Sequence, residues 1–180
     1  MSAELFAAIG NLVVVWSRIE TGLSMDISSM MQYPNIAALA SEPPRSFKTK
    51  LALWRRCVRT LYGQIPKYQT LASHIQTSLK TAARARNHII HGSWNLEPKE
   101  DGSFTVTNMH MLRFAEKMDR AQVDLARVSG LLREIERLDG IIHGFIASKM
   151  WHAHLGLLKL ERAQSPDHPA HPNPTNSEDI

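Results

Sequence analysis

ARNHIIHGSW, residues 85–94, decides how the middle of this 180-residue chain is read. Up to Gly92 the apolar positions keep a helical period, with Leu71, Ile75, Leu79, Ala82 or Ala83 and Ile89 or Ile90 recurring at three- and four-residue steps. Beyond Gly92 the pattern alternates: Trp94 and Leu96, then Phe104 and Val106, flank Asp101-Gly102, which has turn chemistry. The stretch therefore predicts a helix that stops at Gly92 and a small β-hairpin over 93–107. It also gathers Arg86, Asn87, His88 and His91 into about one and a half helical turns, and its letters IIHG recur at 141–144. The second copy is an internal comparison for any role given to the first.

Working outward, Leu5, Ile9, Leu12, Trp16, Ile19, Leu23 and Ile27 mark a long amphipathic helix from Ala3 to about Met31. Tyr33-Pro34-Asn35 and Ser41-Glu42-Pro43-Pro44 punctuate a loop with room for one helical turn. Phe47, Leu51, Trp54, Val58 and Leu61 keep helical register over 45–62, and Pro66 prepares the helix that runs to Gly92. After the hairpin, helical periodicity is read from Met118 or Val123 to Met150, with Asp119 as cap and Gln122 completing a capping box. That last pattern is long enough to predict either a break at Gly140 or Gly144 or exposure to a partner.

The expected fold class is all-α: a bundle of four main helices, with the hairpin between the third and fourth. The long first and last helices carry more apolar stripe than two shorter ones can cover, which predicts a homodimer. One domain over 1–163 is expected, followed by a polar, proline-rich and disordered tail over 164–180.

Cys57 is the single cysteine, so no intrachain disulfide can form and a cysteine-based zinc site is excluded. The amino terminus has no basic residue before Arg18, and no apolar run approaches the roughly 18 to 20 residues that span a bilayer. A cytoplasmic protein without membrane attachment is expected. No glycine-rich phosphate loop is present, and no carboxylate completes a ligand set around His143, His152 and His154, so neither cofactor nor metal is expected.

Charge is strongly segregated. Residues 43–96 hold ten basic and no acidic side chains, whereas the segments before and after are each net −3. Such a block suits a polyanion such as RNA, through Arg45, Lys48, Arg55, Arg56, Arg59, Lys80 and Arg84. The alternative is a solvated basic face balanced by acidic residues from elsewhere in the fold.

Histidine and arginine together allow RNA cleavage without metal. An imidazole can move the proton of a ribose 2′-hydroxyl, and a guanidinium can stabilise the charge of the phosphorane that follows. The products are a 2′,3′-cyclic phosphate and a 5′-hydroxyl, and DNA lacks the nucleophile. Asn87 and His91 share a face, but Arg86 lies about 140° around an ideal helix from His91. They converge if the helix ends near His91 or if a second copy of the chain completes the site.

Arg86-Asn87-His88-Ile89-Ile90-His91 resembles the arginine, polar residue, three variable residues and histidine signature of HEPN domains. These are all-helical dimers found among prokaryotic toxins, abortive-infection proteins and RNA-processing enzymes. The resemblance covers six or seven residues as pattern and most of 1–160 as architecture. It implies that Arg86 and His91 are the catalytic pair, that Asn87 orients them, and that the activity is a metal-independent endoribonuclease in a toxin or defence setting with a possible antitoxin. Glu20 is a further candidate as charge partner of Arg86. The alternative is a catalytically inactive dimer of the same fold that binds a protein or a nucleotide. Arg137 and His143 satisfy a looser form of the spacing, but Leu138 follows Arg137 and acidic residues surround it.

Overall fold

The computed structural model describes residues 2–40, 42, 44–112 and 115–164, with side chains described except at 109–119 and 151–164. Five helices and a three-stranded antiparallel sheet make up the described chain, which is mostly helical. It divides into two compact units, Met1–Gly144 and Phe145–Ile180.

Helix α1, Ala3–Met30, begins where the Ser2 hydroxyl accepts from the Leu5 amide at 3.2 Å. Its inward face buries Leu12, Ile19, Leu23 and Ile27. Helix α2, Pro34–Ala37, is the expected single turn, started by proline and pinned by buried Ile36. Helix α3, Phe47–Tyr62, is capped by Ser46, and helix α4, Pro66–His91, begins at a proline that has no amide to leave unsatisfied. α3 buries Leu51, Trp54, Cys57 and Val58, while α4 buries Ala72, Ile75 and Leu79. Each buried leucine, isoleucine or valine among them contributes about 1.5–3 kcal/mol relative to exposure. Within this core Trp54 Nε1 donates to Asp26 Oδ2 at 2.8 Å, tying α3 to α1 through a carboxylate that burial would otherwise penalise.

The hairpin foreseen over 93–107 is present as the pairing of β1, Ser93–Trp94, with β2, Phe104–Leu112. Gly102, with φ of 75°, supplies the left-handed residue of the turn region between them. β2 then continues past 107 and pairs antiparallel with β3, Ala115–Val123, from Phe104 opposite Val123 to Leu112 opposite Ala115. This corrects the expected last helix, which does not begin near Met118, and Asp119 is no helix cap. Asp119 stands opposite Asn108 in the ladder. The segment is rich in helix formers, but Val123 is buried and Gln122 exposed, and cross-strand pairing with a non-local partner outweighs helix propensity.

Helix α5, Leu125–Gln164, starts one residue after the sheet, where Asp124 Oδ1 accepts from the Arg127 amide at 2.7 Å. It continues through Gly140 and Gly144, so neither glycine breaks it. Its first part buries Val128, Ile135, Leu138 and Ile142. Among the described residues no helix is long and apolar enough to cross a membrane. The tail expected over 164–180 lies, after Gln164, outside the described residues.

Candidate active site at the end of helix α4

The last carbonyls of an α-helix have no partner within the helix. At the end of α4 the sheet supplies them: Asn108 Nδ2 donates to the His88 carbonyl at 3.2 Å, and Trp94 Nε1 to the Ile89 carbonyl at 2.9 Å. His88 Nε2 lies 3.2 Å from the Val106 carbonyl, an acceptor only, so that nitrogen carries the proton. Gly92 ends the helix with ordinary extended dihedrals, φ −74° and ψ 152°. Its glycine identity is explained by space instead, because a Cβ there would overlap Val106 Cγ1 and lie 2.5 Å from the His88 carbonyl oxygen. The sheet thus fixes where α4 stops, immediately after His91.

Arg86 and His91 meet within a single chain. Arg86 Nη1 donates to Asn87 Oδ1 at 2.9 Å and lies 3.2 Å from His91 Nε2. Arginine is an obligatory donor, so the contact requires Nε2 to offer its lone pair and Nδ1 to hold the ring proton. The guanidinium also lies over the Trp16 ring, 5.9 Å from its centroid, and its Nε is shut from solvent with no acceptor among the described residues. Helix geometry alone separates Arg86 from His91 by about 140°. The length of the arginine side chain, turned over Trp16 of α1, closes that gap in the final turn.

Glu20 is not the charge partner of Arg86. Its Oε1 accepts from Trp16 Nε1 at 2.7 Å, and its Oε2 lies 3.8 Å from Nζ of Lys50, which is nearly buried. Glu20 reaches the site indirectly, by fixing the indole on which Arg86 rests. Trp16 and Lys50 therefore belong to the site's support, although their positions in sequence do not announce it. The usable signal was the four-residue spacing of Trp16 and Glu20, which places both on one face of α1.

The basic residues separate into groups. Lys48, Lys80 and Arg84 line one groove between α3 and α4, together with Asn87. Arg55 is engaged within the fold, donating from Nη1 to Gln69 Oε1 at 2.6 Å. Arg45, Arg56 and Arg59 are exposed outside the lining of that groove. The structure therefore brings together three of the seven candidate RNA contacts.

The second copy of the motif is built differently. Arg137 binds Glu134 through two bonds of 3.0 and 2.8 Å, and these hydrogen bonds hold the Glu134 carboxyl below its usual range. His143 Nδ1 donates to the Asp139 carbonyl at 2.8 Å, while Asp139 Oδ2 pairs with Arg18 at 2.8 Å. Arginine and histidine have separate acidic neighbours there, with none of the convergence seen in the first copy.

Among the described residues no group of three histidine, cysteine or acidic side chains could hold a metal ion. Comparison with known proteins finds no match among family models, curated sequences or solved structures.

Proposed function

We propose that the chain is a HEPN-like endoribonuclease that acts as a homodimer and cleaves RNA without metal. The observation that carries this reading is the contact between Arg86 and His91, held at a capped helix end beside a cationic groove. His91 Nε2 takes the proton of a ribose 2′-hydroxyl, O2′ attacks the adjacent phosphorus, and the bond to O5′ breaks. His91 of the other copy, which takes a proton from solvent at Nε2 once its own Arg86 has turned to phosphate, gives that proton to the departing oxygen, and Arg86 neutralises the phosphorane. In the free protein Arg86 occupies the Nε2 lone pair, so substrate phosphate must draw the guanidinium away before His91 can act as base.

A dimer suits the outer face of α1, where Phe6, Val14 and Met25 are 60%, 60% and 68% exposed. Pairing such faces between two copies covers this apolar surface in a bundle of the expected kind. A toxin or phage-defence role in the cytoplasm, with a protein antitoxin, belongs to the same reading.

The test is incubation with single-stranded RNA in excess chelator. The expected outcome is 2′,3′-cyclic phosphate ends that disappear in His91→Ala. Absence of cleavage by the wild type over a broad panel of RNAs overturns the reading and leaves a catalytically inactive binding module.

A further inference from the structure

The groove between α3 and α4 encloses about 590 Å³, within the range of roughly 300–1,000 Å³ typical of small-molecule sites. Phe47, Leu51 and Ala83 form its apolar lining. Lys48, Lys80 and Arg84 supply three cations, and no carboxylate takes part. Unlike Arg55, these three have no acidic or amide partner among the described residues. The start of α3 lies against the last half of α4, so the positive end of the α3 dipole adds to the field in the groove.

Two further features connect the groove to the Arg86–His91 pair. Lys80, Arg84, Asn87 and His91 follow at four-, three- and four-residue steps, which keeps them on one face of α4 over about 16 Å. Phe47 also packs against Trp16 with centroids 4.7 Å apart, and Trp16 supports Arg86. The groove is thus continuous in charge with His91 and continuous in aromatic packing with Arg86.

A simple anion needs no apolar lining, and a duplex keeps its bases stacked inside. An apolar pocket bordered by three cations suits an unstacked base that carries phosphate. We propose that this groove is a nucleotide subsite. It takes one unpaired base of single-stranded RNA against Phe47, Leu51 and Ala83, with phosphate on Lys48, Lys80 and Arg84, beside the phosphate addressed by His91. The identity of the polymer rests on the ribonuclease reading, whereas nucleotide binding is measured without cleavage.

The experiment titrates His91→Ala protein with AMP, UMP, adenosine and inorganic phosphate by calorimetry. The Trp16 indole N–H resonance, assigned with Trp16→Phe, reports occupancy through Phe47. Saturable binding of a mononucleotide, tighter than that of phosphate or adenosine, is expected. Lys80→Glu and Arg84→Glu, both at exposed positions that the fold tolerates, should weaken it roughly tenfold or more through lost phosphate contacts. Lys67→Glu, exposed at the start of α4 and outside the groove, should leave it unchanged. Phosphate binding as tightly as AMP, competition by duplex RNA equal to that by single strands, or equal losses in Lys67→Glu and Arg84→Glu each overturn the subsite. So does the absence of saturable nucleotide binding. Nucleotide binding by a protein that cleaves no RNA sinks the ribonuclease reading alone; cleavage unaltered by Lys80→Glu and Arg84→Glu sinks the subsite alone.

Discussion

Arg86 Nη1 lies 3.2 Å from His91 Nε2, across five positions of one helix. The same nitrogen is bonded to Asn87 Oδ1, so one guanidinium branch orients two neighbours. Lysine offers a compact ammonium without the planar fork, and cannot keep the reach over Trp16 and the contact geometry together. Arg86→Lys is expected to slow RNA cleavage by about 100-fold or more while leaving the far-ultraviolet circular dichroism unchanged. In the wild type, nitrogen-15 NMR should find His91 as the tautomer protonated at Nδ1. A free protein with His91 protonated at Nε2 contradicts the contact.

The duplicated letters at 141–144 allow a matched control. His143 is bonded to the Asp139 carbonyl, and Arg137 is occupied by Glu134. Arg137→Ala and His143→Ala should therefore keep cleavage within about twofold of wild type, since neither group belongs to the convergent pair. Loss of cleavage in His143→Ala comparable to that in His91→Ala would assign the chemistry to the wrong copy.

The end of α4 depends on the sheet. Gly92→Ala forces a methyl group toward Val106 and the His88 carbonyl, and should cost about 1–3 kcal/mol of stability in denaturant unfolding. Asn108→Ala removes the donor to the His88 carbonyl at a cost of about 1 kcal/mol. Both should raise hydrogen-exchange rates in the last turn of α4 before those of its middle. An unchanged last turn in both variants would separate the sheet from the positioning of His91.

Tyr62 provides a pH prediction independent of the site. Burial, helped by neighbouring Tyr33, Asp26 and Tyr68, pushes its phenol up from 10.0 to about 12. The unfolded chain gives up that proton first, so the stabilisation from neutral Tyr62 is complete below about pH 10 and is lost as pH rises through about 12. Ultraviolet difference absorbance should show a late-titrating phenol that is absent in Tyr62→Phe. That variant should also flatten the alkaline fall in stability.

Much of the helical architecture was legible because it depends on neighbours along the chain. The spacing of Leu12, Trp16, Ile19 and Leu23 marks one face of α1, and Pro66 and Gly92 bracket α4. β3 was not legible, because Asp119 and Gln122 resemble a capping box and their ladder partners, Asn108 and Thr105, lie on the other strand. Asp124, the residue that does cap α5, follows a segment whose strand character appears only through that pairing. The pairing of Glu20 with Trp16 and Lys50 instead of Arg86 was not legible for a related reason: two charges of opposite sign do not reveal which other groups the fold brings to the carboxylate.

By itself the sequence determined the helical periods, the acid-free block over 43–96, and the placement of Arg86, Asn87 and His91 at the end of a helix. Each of these is a pattern of near neighbours. Tertiary structure alone decided that Trp16 carries Arg86 to His91, that Trp94 and Asn108 fix the helix end, and that Lys48 joins Lys80 and Arg84 around one groove. Those relationships join residues far apart in the chain, and they form only when burial of apolar faces brings separate elements together.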